Sequence, residues 1–151
     1  MNSLINNEIL GTIALQATLA NTPGRALDLP KVFLILPLMF NKRTRSLIKS
    51  NKVKIMGSRD LVLTFPKDFS AVNSHYLDFA TTSLNTVLLA CELNIAVFED
   101  GTLRLASEIY TSQTPREFGK VGSEIFQAAP RLAKILEESA IDLYQNFRIS
   151  L

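Results

Sequence analysis

The chain has 151 residues, of which 47% are hydrophobic and 20% charged, enough for one folded domain with a core rather than a disordered segment. Its formal net charge of +2 does not by itself call for a polyanionic partner, and one cysteine, Cys91, excludes an intramolecular disulfide. "MNSLINNEILG" has no basic region before its apolar residues, and no window approaches the roughly 18 to 20 apolar residues of a membrane span. A cytoplasmic protein with no membrane association is expected.

Leu4 to Ala20 reads as a helix, with Ile5, Ile9 and Ile13 at four-residue steps, Leu10, Ala14 and Ala17 beside them, and Ser3 placed to cap it. "NTPGR", Asn21 to Arg25, stops it. Pro30 suits a first helical turn and Pro37 an interruption, so a short buried helix from Pro30 to Phe40 is expected, bent or ended near Pro37. A second short helix follows, with Thr44 near its start and Leu47 and Ile48 facing inward. Lys52 to Phe65 alternates weakly and suggests one or two short strands broken at Gly57. Phe69 to Leu93 gives the strongest helical signal. Val72, Tyr76, Phe79, Ala80, Leu84, Val87, Leu88 and Cys91 recur at three- and four-residue steps.

"NIAVFEDGTLRLAS" reads as a hairpin turning at "EDGT", where Gly101 tolerates a positive φ. Thr114, Pro115 and Glu117 mark the start of a helical region that runs to Phe147. Pro130 is expected to divide it, with Leu132, Ile135, Leu136 and Ile141 on the inner face of the last helix. Helices followed by a long helix and a hairpin are the order of a winged-helix domain. The expected fold is therefore mostly α with a small β-hairpin (α+β), a winged-helix-like single domain over residues 1–151.

Little in the sequence points to catalysis, a metal or a cofactor. His75 and Cys91 lie sixteen residues apart on one predicted helix, about 24 Å along its axis, too far to share an ion. A serine or cysteine nucleophile would have only His75 as its base, and no nucleophile elbow surrounds any serine. Cys91 falls on the apolar stripe, where a thiol packs as a small hydrophobe. The carboxylate pairs Glu99–Asp100 and Glu137–Glu138 read as solvated, and the glycines never form a phosphate loop.

Charge is unevenly placed. Lys31, Lys42, Arg43, Arg45, Lys49, Lys52, Lys54 and Arg59 fall between Leu29 and Arg59 with no acid beyond Leu29 until Asp60. From Asp60 onward, twelve acids face seven bases. The basic segment can be a solvated face, a docking surface for an acidic protein, or a contact for DNA phosphates. The candidate partner or DNA contacts are Lys42, Arg43, Thr44, Arg45, Lys49, Lys52 and Lys54.

"LPKVFLILPLMFNKRTRSLI" resembles the signature of the middle component of three-component ABC systems: Leu29-Pro30 before an apolar run, Leu36-Pro37-Leu38, Thr44-Arg45, and the apolar pair Leu47-Ile48. The likeness continues through Thr86 and Ala90 in the long helix, "NIAVFEDGTLRL" and "AAPRLAKILEES", from Leu4 to Leu151. Two positions depart from the pattern: Asn41, where family members often have His, and Pro130, where they often have Gly. The resemblance implies a non-catalytic adaptor that works with an SMC-like ABC ATPase and a third, effector component in a Lamassu-type anti-phage system. It implies that Arg45 and its basic neighbours lie at the edge of the buried helix, within reach of the ATPase or its DNA. The residues alone leave open a winged-helix DNA-binding regulator.

Overall fold

The computed structural model describes residues 2–111 and 113–150. Helix α1, Asn2–Ala20, is the central element. Every residue from Gly11 to Leu19 is buried, because α1 is flanked by α8 (Ala80–Glu92) and α9 (Gly119–Ile135) and touches α3 (Ile35–Met39). Ser3 lies inside α1 rather than before it. Polar residues in this core need partners. Gln16 supplies one set: its Oε1 accepts from the Ile109 and Tyr110 amides (2.9 and 3.0 Å), and its Nε2 donates to the Tyr110 carbonyl (3.0 Å). One side-chain amide thus straps the segment after the hairpin onto the central helix.

Three short strands form an antiparallel sheet in the order β1-β3-β2: β1 is Ala26–Asp28, β2 Ala96–Glu99 and β3 Thr102–Leu105. Asp100 and Gly101 both have positive φ (52° and 75°), the backbone of a type I′ hairpin. The sequence signalled the hairpin but not β1, whose three residues are too few to show an alternation. β1 matters because it delivers the chain to the proline-rich run: the Leu29 amide donates to the Gly101 carbonyl (2.9 Å) at the start of α2, Leu29–Val32.

The expected single helix over Pro30–Phe40 is two helices, α2 and α3, with the break at Phe33 and Leu34. Pro37 explains the position. It sits in the first turn of α3, where a missing N–H has no intrahelical partner to lose. Its ring would clash with the carbonyl four residues earlier, that of Phe33, if α2 ran on. The proline therefore sets where α3 begins rather than where it ends. All five α3 residues are buried.

Other expectations fail for identifiable reasons. No strand forms over Lys52–Phe65; an irregular segment leads to α5, Ser58–Thr64. The N-terminus of α5 is held from far along the chain: Glu138 accepts from the Ser58 amide and hydroxyl, both at 2.7 Å. Glu138 is thus a helix cap, not a solvated carboxylate. The long helical signal over Phe69–Leu93 is three helices, α6 (Pro66–Phe69), α7 (Val72–Asp78) and α8. α7 packs on α3 and α8 on α1, so the chain bends at Phe79, whose ring meets Phe40 edge-on at 5.4 Å. After that bend Leu84 and Leu88 face outward, 48% and 54% exposed.

Pro130 does not divide the C-terminal helix. α9 runs through it, with Pro130 exposed and Ala128, Ala129, Leu132 and Ala133 buried on either side. Packing of both halves offsets the lost backbone bond. The break comes after Leu136, and Ser139 caps α10, Ala140–Asn146, by accepting from the Asp142 amide (3.1 Å). Ile141, expected on an inner face, is 71% exposed.

α1 approaches α8 closely at Gly11. A Cβ on Gly11 would lie 2.6 Å from Thr86 Oγ1 and 2.9 Å from its Cγ2, but 3.4 Å from its Cβ. Gly11→Ala is expected to destabilise the fold by about 1–3 kcal/mol despite the better helix propensity of alanine. Gly11→Ala/Thr86→Ala should be more stable than Gly11→Ala alone, as read by chemical denaturation. A double variant no better than the single one would contradict the close approach.

Candidate functional site

The basic segment begins where α3 ends. A fully buried helix must satisfy its last carbonyls without water. Two residues of α4, Lys42–Lys49, do this. Thr44 Oγ1 donates to the Leu38 carbonyl (2.5 Å), and Arg45 Nη1 donates to the Met39 carbonyl (3.1 Å). A cation at that position also meets the negative end of the helix dipole. Asn41 caps α4 itself: its Oδ1 accepts from the Arg43 amide (2.8 Å), and its Nδ2 lies 3.0 Å from His75 Nδ1.

Arg45 is only 4% exposed, so its charge needs a buried counter-ion. Glu124 of α9, 6% exposed, provides it. Arg45 Nε donates to Oε1 (3.2 Å) and Lys49 Nζ to Oε2 (2.8 Å). The Lys49 hydrogen bond holds the Glu124 carboxyl below the usual glutamate range, against the opposing effect of burial, and Arg45 adds a second hydrogen bond and its charge. α4 and the residues after it run alongside α9 in the same direction: Arg45 and Lys49 meet Glu124, Val53 meets Arg131, and Ser58 meets Glu138.

This places the seven candidate residues in two groups. Thr44 and Arg45 face the interior and Lys49 is tied to Glu124; Arg45 lies at the end of the buried helix, as expected, but is buried there rather than open to a partner. Lys42, Arg43, Lys52 and Lys54 are exposed. Lys52 and Lys54 line a cleft of about 490 Å³, and its other wall carries Arg131 and Lys134 from α9. Arg131 Nη2 donates to the Val53 carbonyl and so fixes the loop that presents the two lysines.

The chain matches, over residues 4–151, the family described as ABC-three component (ABC-3C) system Middle Component 3. It belongs to that family. No curated protein and no solved structure matches it. Thr44-Arg45 is the pair that closes the C-terminal end of α3, and Leu29-Pro30 borders a second surface feature. This is an open apolar groove of about 540 Å³ lined also by Phe33, Tyr76, Ile141 and Tyr144. The Tyr144 hydroxyl donates to the Pro30 carbonyl (2.6 Å) and lies 3.2 Å from that of Tyr76. Burial, with Tyr76 beside it, pushes the Tyr144 hydroxyl well above the usual tyrosine range, so it stays a donor.

Burial raises the Cys91 thiol, opposed by a hydrogen bond from the Phe98 backbone, which disfavours a nucleophilic thiolate. Among the described residues no group of three or more metal-ligating side chains converges. No described helix is long and apolar enough to cross a membrane.

Sequence reading missed Glu124, Arg131 and Glu138. Glu124 left one signal, an acid next to Ile125 on the face of α9 that carries Ala128 and Leu132. Glu124→Ala strips the buried Arg45 of its counter-ion and is expected to cost about 3–5 kcal/mol. Lys49→Ala, which leaves the Arg45–Glu124 pair intact, should cost about 1 kcal/mol or less. Because the folded carboxyl is lowered from 4.5, its stabilisation is complete above that pH and is lost as the pH falls through the folded value. Urea denaturation across the acid range should show that loss in the wild type, and Glu124→Gln should flatten it.

Proposed function

We propose that the chain is a non-catalytic accessory subunit that docks on the SMC-like ABC ATPase of its system, together with a third, effector component, in cytoplasmic anti-phage defence of the Lamassu type. The observation that carries this reading is the family match over residues 4–151. The side chains support it in kind: the strongest polar constellation, Arg45–Glu124–Lys49, is fully used in holding the fold. The partner-facing surface in this reading is the exposed basic ridge of Lys42, Arg43, Lys52 and Lys54, which α9 braces from behind.

A stand-alone winged-helix regulator has less support. The hairpin tip that would serve as the wing carries exposed Glu99 and Asp100, and Arg104 beside it pairs with Glu99 at 3.2 Å. An acidic tip repels phosphate.

Co-expression with the neighbouring genes of its system, purifying on a tag carried by this chain, tests the proposal. A large ATPase should co-elute, and Lys42→Glu/Arg43→Glu should reduce its recovery about tenfold, the effect of roughly 1.4 kcal/mol in affinity. Elution of the chain alone under low salt would overturn the accessory-subunit reading.

A further inference from the structure

The cations of this protein divide into two classes by their surroundings. Among the described residues, ion pairs involve Arg25, Arg45, Lys49 and Arg104. Among the described residues, none of the four cations around the cleft, Lys52, Lys54, Arg131 and Lys134, pairs with a carboxylate. They come from two elements, the loop after α4 and the second half of α9, and no acid lines the space between them. Glu137 and Glu138 line the adjoining space, which shares Ile55, Met56 and Lys134 with the cleft, and both oxygens of Glu138 are occupied at Ser58. The cleft is therefore a concave, net positive site with exposed Glu137 at its border, where low-dielectric walls concentrate the field.

We propose that this cleft binds the phosphodiester backbone of duplex DNA, without reading its sequence. The inference rests on reading the basic ridge as the partner-facing surface, and it adds duplex DNA as a second ligand there, beside the ATPase. Three features favour a nucleic-acid backbone. No aromatic side chain lines the cleft, which removes the stacking platform that single strands use. Three of the four cations are lysines, point charges that accept phosphates in many registers, and the guanidinium that would offer a fixed fork is partly committed to the Val53 carbonyl. Lys42 and Arg43 add exposed charge at the other end of α4, an eight-residue helix about 12 Å long. Cations spread over at least that length suit a polyanion of uniform charge better than a peptide whose carboxylates must be in register.

The test uses the full chain without its ATPase, so it can fail while co-purification succeeds, and the reverse. Fluorescence anisotropy with a short mixed-sequence duplex should show binding at about 50 mM salt that weakens about 10²-fold by about 200 mM, as about four neutralised phosphates require. A scrambled duplex should bind equally well. Lys52→Glu/Lys54→Glu, exposed positions whose change spares the fold, should weaken binding at least tenfold, about 1.4 kcal/mol. Arg25→Glu/Arg104→Glu, an equal charge change at the sheet, should weaken it far less, and matching thermal melts establish that both variants are folded. No binding at low salt, or equal losses in the two variants, would overturn the proposal. Binding of a poly-glutamate peptide but not of the duplex, lost in Lys52→Glu/Lys54→Glu, would also overturn it and assign the cleft to an acidic protein surface.

Discussion

The carboxylate of Glu124 stands at the centre of the arrangement. A buried helix, α3, ends inside the protein, and its last carbonyls have no water to turn to. Arg45 reaches one of them, but a guanidinium with almost no exposure cannot stay there without a negative partner. Glu124 supplies the charge from α9, and Lys49 takes the carboxylate's second oxygen. Through this one side chain the end of α3, the length of α4 and the middle of α9 are fixed together. The loop beyond α4 then lies against the rest of α9, where Arg131 and Glu138 hold it by backbone contacts. What is exposed afterwards, Lys42, Arg43, Lys52, Lys54 and Arg59, belongs to a basic segment whose inner members, Arg45 and Lys49, are paired with Glu124.

This division changes the meaning of the most recognisable stretch in the chain. Leu29 to Ile48 contains the residues that mark the family, and nearly all of them serve the interior. Pro37 positions a helix start, Thr44 and Arg45 close its other end, and Ile48 is core. The resemblance to the family thus rests on residues of the scaffold. The cations beside it stay exposed.

How far the sequence disclosed this depended on whether the cause was local. The helices α1 and α4 and the hairpin were legible because periodicity and a positive-φ turn lie within a few residues of what they determine. The segment Phe69–Leu93 was misread as one helix since its apolar spacing persists across Phe79, while the bend there comes from two different packing partners. α5 was read as strand because its cap, Glu138, is remote in sequence. Pro130 was read as a breaker because a local rule was not weighed against burial on both sides of it. At the candidate site the basic composition was plain. Which cations were spent inside could not be seen without Glu124.

The partnership between the first third of the chain and α9 also bears on how the protein is made. The contacts that hold the basic segment join residues 75 to 80 positions apart in sequence: Lys49 with Glu124, Val53 with Arg131, Ser58 with Glu138. On the ribosome, α3 and α4 emerge long before α9 exists to receive them. Until then Arg45 has no counter-ion, and the apolar run from Val32 to Phe40 lacks much of its cover. Such high sequence separation slows folding and prolongs the exposure of sticky surface. The nascent chain thus carries an unshielded apolar stretch through most of its synthesis, and a ribosome stalled before residue 124 would leave a fragment suited to chaperone capture or degradation rather than to a stable half-domain.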